Sequence, residues 1–233
     1  MLALQTSPTL SNTSDTQLVP FSEGQIGQGI AATQTRVIDR KEHVFCDGDD
    51  ATQLYQVEAG HVCIYRLLPD GRRHVIDFAF PGDFIGLGAA GRHTANAQAT
   101  ERTRLRCLPI SMLRKAMCDD PRLGLAVYEA TSRELASTRG LLLSISHRSA
   151  QERVAGFLLA LSHRNARRGE DADSIVLPMT RADIGDYLGL TIETVSRIFG
   201  RFRECGMIDV DQCILVTIKN RQALIEIAEG TTN

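Results

Sequence analysis

"TRADIGDYLGLTIETVSRIFGRF", residues 180–202, decides how the rest of this chain is read. Thr180 followed three residues later by Asp183 is a helix start: the hydroxyl can cap an orphan amide while the carboxylate reaches back, although Asp suits that role less well than Glu. A helix of about two turns follows and stops at Gly189. Leu190 then lies in a tight turn, and Thr191 can cap a second helix. In that helix Val195, Ile198, Phe199 and Phe202 fall at i, i+3, i+4 and i+7, a stripe that faces a core. Glu193, Ser196, Arg197 and Arg201 take the opposite face.

Two helices joined by a tight turn containing Gly form a helix-turn-helix, whose second helix can enter the major groove. The outward residues suit that task. Arg can donate two bonds to a guanine edge, Glu can accept from a cytosine N4 amine, and Ser suits several contacts. Glu193 and Arg197 are four apart and can hold each other in place. After Gly206, "MIDV" and "CILVTI" flank Asp211-Gln212, as a small wing hairpin would. Other helical hairpins share the pattern, and a solvated helix face is the bland account of its arginines.

Upstream, Ser149 and Glu152 predict a second capping box, opening a helix with Val154, Phe157, Leu158 and Leu161 on one face. "RNARRGEDADS" reads as a polar loop and "IVLPM" as a short strand. Between Val37 and Pro109 the pattern is of short alternating strands. Turn signals recur at Asp47-Gly48, Ala59-Gly60, Asp70-Gly71 and Pro81-Gly82, the glycines being 12, 11 and 11 residues apart. That spacing suits hairpin-linked strands in a small barrel or jelly roll. After Pro109 the period changes. Asp119 or Asp120 can cap a long helix with Pro121 in its first turn, and Leu123, Val127, Ala130, Leu135 and Leu142 trace an apolar seam along it. Such a seam pairs with a second copy of the chain or packs on its own β-roll.

Residues 1–35 hold ten Ser or Thr and no Lys or Arg, with apolar residues at no period. A disordered arm is expected, because so little burial cannot offset the entropy of ordering. The fold class is therefore α+β: the arm (1–35), a jelly-roll-like β-roll (36–118), a dimerisation helix (119–146) and a winged helix-turn-helix (147–233).

Bulk properties narrow the function. No apolar run is long enough to span a bilayer and no basic-then-apolar leader is present, so the reading is cytoplasmic. The formal net charge of −2 advertises no nucleic-acid partner, so charge placement has to carry the argument. Between His147 and Arg168 five arginines face one acid, whereas Pro178 to Gly206 is balanced at four against four. The six cysteines, at 46, 63, 107, 118, 205 and 213, include no C-x-x-C pair, which weakens zinc and redox-motif readings.

"TRADIGDYLGLTIETVSRIFGRF" resembles the DNA-binding segment of the CRP/FNR regulators, particularly the FNR and FixK branch. The resemblance runs from about Val37 to Ile227, and its most specific part is E-x-x-S-R, here Glu193, Ser196 and Arg197. It implies that these three read half-sites resembling TTGAT in an inverted repeat of double-stranded DNA. It further implies a homodimer through the long helix and contact with RNA polymerase, usually to activate transcription. Arg181 and Arg201 would then lie on phosphates, with Thr191 capping the recognition helix and sharing that role.

The same resemblance raises the question of an effector. Cyclic-nucleotide-binding relatives use Gly-Glu-Leu and then Arg followed by Ser or Thr; this chain has Gly82-Asp83-Phe84 and Arg92-His93-Thr94. FNR-like cluster sensors carry an N-terminal cysteine set as well as one in the β-roll. Cys107 resembles the latter, but the first cysteine here is Cys46. Haem relatives need axial ligands, for which His43, His61, His74 and His93 are the candidates. The reading is a regulator working with no cofactor or small-molecule effector; a haem- or cyclic-nucleotide-dependent sensor is the alternative. Cys205, at "RECGM" beside Arg203, is a candidate redox residue, against an inert helix-end thiol.

"GLGAAG" (86–91) matches the dinucleotide-binding fingerprint and brings in the rival class, an enzyme. Such a loop must open a helix, yet "RHTANAQATERTRLRCLP" has the threonines and alternation of a strand. "DGDD" (47–50) lacks the remaining ligand positions of a calcium loop. No enzyme is expected.

Overall fold

The computed structural model describes residues 34–87, 91–122, 148–212 and 214–231, together with positions 124, 125, 127, 128, 131, 132 and 135. The expected arm lies outside them except for Gln34 and Thr35, which already belong to a strand. The fold is α+β, with an antiparallel β-sheet domain first and a helix-turn-helix unit last.

Eight strands build the first domain: β1 (Gln34–Ile38), β2 (His43–Phe45), β3 (Gln53–Ala59), β4 (Val62–Leu67), β5 (Arg73–Ala79), β6 (Phe84–Ile85), β7 (Asn96–Ala99) and β8 (Thr103–Pro109). They form two four-stranded sheets, ordered β1-β8-β3-β6 and β2-β7-β4-β5. The alternation read from sequence is the cause: Val57, Val62, Ala97, Ala99 and Leu105 turn inward onto one core with Ile38, Val44 and Phe45. The β4–β5 hairpin closes where Asp70-Gly71 predicts, pairing Leu67 with Arg73 and bonding the Gly71 amide to the Leu68 carbonyl at 2.8 Å.

Pro109 leads straight from β8 into a helix that the sequence reading passed over, α1 (Ile110–Asp119). Its N-cap is Pro109, which has no side chain able to cap, so the usual start signal is missing. What holds α1 is burial of Leu113 against Leu54 and Leu108. Asp120 ends it through a 2.8 Å bond from its amide to the Ala116 carbonyl. The Asp120 carboxylate then accepts from the Arg122 amide at 3.0 Å, opening the long helix.

Every described position of that helix from 121 to 135 is helical. Of its predicted seam, Leu123, Ala130 and Leu142 lie outside the described residues. Val127 packs on its own β-roll beside Leu54, Leu108 and Leu113. Leu135 is exposed, as are Leu125 and Tyr128.

The last unit holds α2 (Ala150–Arg167), β9 (Ser174–Val176), α3 (Arg181–Leu188), α4 (Ile192–Glu204), β10 (Ile208–Asp211), β11 (Leu215–Ile218) and α5 (Arg221–Ala228). The wing is a three-stranded sheet, β10-β11-β9. Ser149 caps α2 by accepting from the Glu152 amide at 3.3 Å, but the box is half made: Glu152 takes the Ser149 hydroxyl at 2.7 Å, not its amide. The predicted Val154, Phe157, Leu158 and Leu161 face is buried. Its core continues into the first domain, where Cys63, Tyr65, Val75, Phe78 and Phe80 join the same cluster. Among the described residues no helix is long and apolar enough to cross a membrane.

Candidate nucleic-acid interface

The helix pair is set by a few local contacts. Thr180 and Asp183 form the complete box: Thr180 Oγ1 accepts from the Asp183 amide at 3.1 Å, and Asp183 Oδ2 accepts from the Thr180 amide at 2.8 Å. Gly189 ends α3 at φ 66°, a left-handed conformation that a side chain disfavours. The chain doubles back so tightly that the Leu190 amide bonds the Gly185 carbonyl at 2.9 Å. A Cβ on Gly185 would stand 2.7 Å from the Leu190 carbonyl oxygen. Gly185 is thus as necessary to the turn as Gly189, and the sequence reading missed it. The signal was there, a glycine one helical turn before the capping glycine.

Thr191 starts α4, its Oγ1 accepting from the Thr194 amide at 3.2 Å. Val195, Ile198, Phe199 and Phe202 are all buried, as their spacing predicts. Glu193, Ser196, Arg197 and Arg201 are exposed, as is Thr191. α4 therefore presents one polar ridge and buries the other side.

The ridge is held differently from expectation. Arg197 Nη2 donates to Thr194 Oγ1 at 3.3 Å rather than pairing with Glu193. The Glu193 carboxyl is held below its ordinary range by its own backbone amide, then by the Thr191 hydroxyl, with a lesser attraction from Arg197. Arg181 spreads its guanidinium over the Phe199 ring, 3.8 Å from the centroid. Ile192, which the sequence reading left aside, is 46% exposed in the first turn of α4, an apolar surface beside the polar ridge. Cys205 is exposed at the C-cap of α4, its amide bonded to the Arg201 carbonyl at 2.9 Å.

Comparison with known proteins matches these two units separately. Residues 152–227 match the Crp-like helix-turn-helix domain, and residues 35–120 match the cyclic nucleotide-binding domain. The nitrogen fixation regulation protein FixK of Bradyrhizobium diazoefficiens is 40% identical over 169 residues, 72% of this chain and 71% of that protein. The chain belongs to the CRP/FNR family. The fumarate and nitrate reduction regulatory protein of Escherichia coli is 35% identical over 84% of this chain and 79% of its own length. The structure of FixK2 from Bradyrhizobium japonicum superposes with a TM-score of 0.79 at 35% identity, covering 84% of this chain and 97% of that one. As a CRP/FNR protein the chain is a DNA-binding transcription regulator and not an enzyme.

In the β-roll of this CRP/FNR chain, Asp83, Arg92 and His93 stand at positions where relatives hold a cyclic nucleotide. Asp83, where a ribose-binding acid would stand, accepts from the Phe80 amide at 2.9 Å and from Arg164 Nη2 at 2.6 Å. Arg92 lies at the surface near Asp50, its side chain 74% exposed. His93 is buried and stacks on Phe45, centroids 3.6 Å apart and planes within 7°. Burial pushes its imidazole pKa down, favouring the neutral ring. Asp83 and His93 are thus engaged within the protein, whereas Arg92 stands at the surface.

The other histidines considered as axial ligands have similar local roles. His43 Nε2 bonds the Tyr65 hydroxyl at 2.9 Å, His61 Nδ1 bonds Glu101 at 2.5 Å, and His74 is exposed. The "GLGAAG" stretch is followed by β7 and β8, not by a helix, which removes the context a dinucleotide loop requires.

Proposed function

We propose that this chain is a cytoplasmic activator that binds a TTGAT-type inverted repeat as a homodimer, contacts RNA polymerase and works without a small-molecule effector. The observation that carries the reading is the exposed ridge of Glu193, Ser196 and Arg197 on a helix whose other side is sealed into the core. Arg197 would take a guanine edge, Glu193 a cytosine amine, and Ser196 a neighbouring edge. Arg201, Thr191 and Arg181 would lie on phosphates, Arg181 from its seat on Phe199. Ile192 adds an apolar contact suited to a thymine methyl.

The long helix supplies the second copy. Val127 is taken up by its own β-roll, so within the described residues the face left for pairing is Leu125, Tyr128 and Leu135. Leu142, seven residues beyond Leu135, is proposed to continue that seam, whereas Leu123 and Ala130 fall at the helical spacing of Val127. The effector-independent part of the reading is supported by Asp83 and His93, both committed to contacts within the protein. Cys205, solvent-exposed beyond the last turn of α4, is where oxidation would place charge and bulk nearest the ridge.

The test is an absorbance spectrum of anaerobically purified protein followed by titration with a TTGAT-palindrome duplex. A colourless protein that binds tightly without additions is the expected result. A visible chromophore, or binding that requires an added ligand, would return the β-roll to the role of sensor.

A further inference from the structure

The β-roll grips the DNA-binding unit at two places. On β5, the Arg73 guanidinium pairs with two carboxylates of α3: Asp183, and Asp186 at 3.4 Å. The same guanidinium lies 5.2 Å from the centre of the Tyr65 ring, which fixes it from the neighbouring strand. Beside it, Phe78 of β5 meets Tyr187 of α3 with ring centroids 5.6 Å apart. In the loop after β5, Asp83 accepts from Arg164 of α2 at 2.6 Å, and that guanidinium sits 4.1 Å over the Phe80 ring.

None of these side chains belongs to the polar ridge of α4. Their effect on DNA is through α3, because Gly185 and Leu190 set α4 directly on it. Apolar contact alone tolerates sliding, whereas a charged hydrogen-bonded pair has a preferred direction and gains strength when shielded from water. Arg164 is nearly buried and Asp183 largely so, their side chains 4% and 14% exposed. One clamp fixes α3 and the other fixes α2, so the unit is held about two axes. A dimer reading a palindrome must present its two recognition helices about one helical turn apart, roughly 34 Å. A small rotation of each unit leaves a single half-site readable and misplaces the pair.

We infer that Arg73 is a positioning residue for DNA binding: by holding Asp183 and Asp186 it sets the orientation of the helix-turn-helix on the β-roll, and so the half-site spacing the dimer accepts, with Asp83–Arg164 as the second anchor. The inference rests on the palindrome reading proposed above. Asp183 also closes the capping box of α3, so the test works through Arg73 and Asp186, whose substitution leaves that box intact.

The experiment compares Arg73→Gln, Arg73→Asp and the swap Arg73→Asp/Asp186→Arg in the full chain. Duplexes carry one half-site, the palindrome, or the palindrome with its spacer lengthened by one base pair. Arg73→Gln is expected to weaken palindrome binding by roughly tenfold, within the usual range of coupling between linked sites, and to leave the single half-site as wild type binds it. The preference for one spacer length should shrink with it, and the swap should recover most of both losses over Arg73→Asp. Equal losses on half-site and palindrome, no loss on either, or a swap that recovers nothing would each overturn the inference. Hydrogen exchange without DNA separates this from the palindrome reading. If wild type binds none of these duplexes, the proposed operator is wrong. Faster exchange confined to β5 and α3 in Arg73→Gln would still support the clamp, and unchanged exchange would overturn it.

Discussion

Arg181 lies 3.8 Å over the ring of Phe199, fastening the first turn of one helix to the middle of the next. The contact makes α3 and α4 a single brace. Such a contact is worth about 0.5–1 kcal/mol at a partly exposed site. Arg181→Gln should therefore lower stability by about that much and reduce the slope of log affinity against log salt by about 1. An unchanged salt slope, measured by titration at several ionic strengths, would leave Arg181 with the bracing role alone.

Arg197→Ala should cost on the order of 1–3 kcal/mol in operator binding and relax preference at one base position. Affinities for a set of operators substituted one base pair at a time give the readout. A variant that keeps the full preference of wild type would sink the assignment of this face to base recognition.

Gly185 tests the turn without touching the ridge. Replacing glycine by alanine inside a helix normally gains up to about 1 kcal/mol. Here the added methyl meets the Leu190 carbonyl oxygen at 2.7 Å, a backbone atom that cannot swing away. Overpacking of this kind costs about 1–3 kcal/mol, so Gly185→Ala should destabilise and Gly185→Val should do so more. Denaturant unfolding that shows Gly185→Ala stabilised would contradict the geometry.

Acid should loosen the β-roll through His93. Burial holds its pKa below the ordinary 6.5. Well above that value neither the folded nor the unfolded chain carries the proton. As pH falls past it the unfolded chain protonates first, so stability declines until the folded state protonates too. His61, also lowered chiefly by burial, acts in the same direction against the opposing pull of Glu101. The unfolding midpoint should fall as the pH drops through and below about 6.5, less steeply in His93→Phe. A His93→Phe variant with the wild-type slope would clear His93 of the effect.

Tyr128→Asp combined with Leu135→Asp should give monomers in sedimentation and weaken palindrome binding, since both side chains are exposed on the long helix. A dimer that persists would move the pairing seam elsewhere.

What could be read in the sequence was what is local. Gly189, Thr191 and the Val195–Phe202 stripe carry turn chemistry and period within the segment 189–202, and the structure places them as read. The strand turns were legible for the same reason, each being a glycine 11 or 12 residues after the last. α1 was missed because Pro109 offers no cap and Leu113 is held by Leu54 from another strand. Asp83 and Arg164 stand 81 residues apart, and no periodicity encodes a charge pair across that distance. Even nearby spacing misled where several acceptors competed: Arg197 chose Thr194 over Glu193, and Glu152 chose a hydroxyl over an amide.

Asp120 belongs to two helices at once, closing α1 with its amide and opening the long helix with its carboxylate. The junction thus contains no spare link. Each residue of an α-helix turns it by about 100° and advances it by about 1.5 Å. Inserting one residue beyond Asp120 would therefore swing Tyr128 and Leu135 a quarter-turn or more around the shaft and bring Val127 off the β-roll. The phase between the two halves of the protein is counted in single residues at this point, so this short joint should tolerate substitution far better than any change of length.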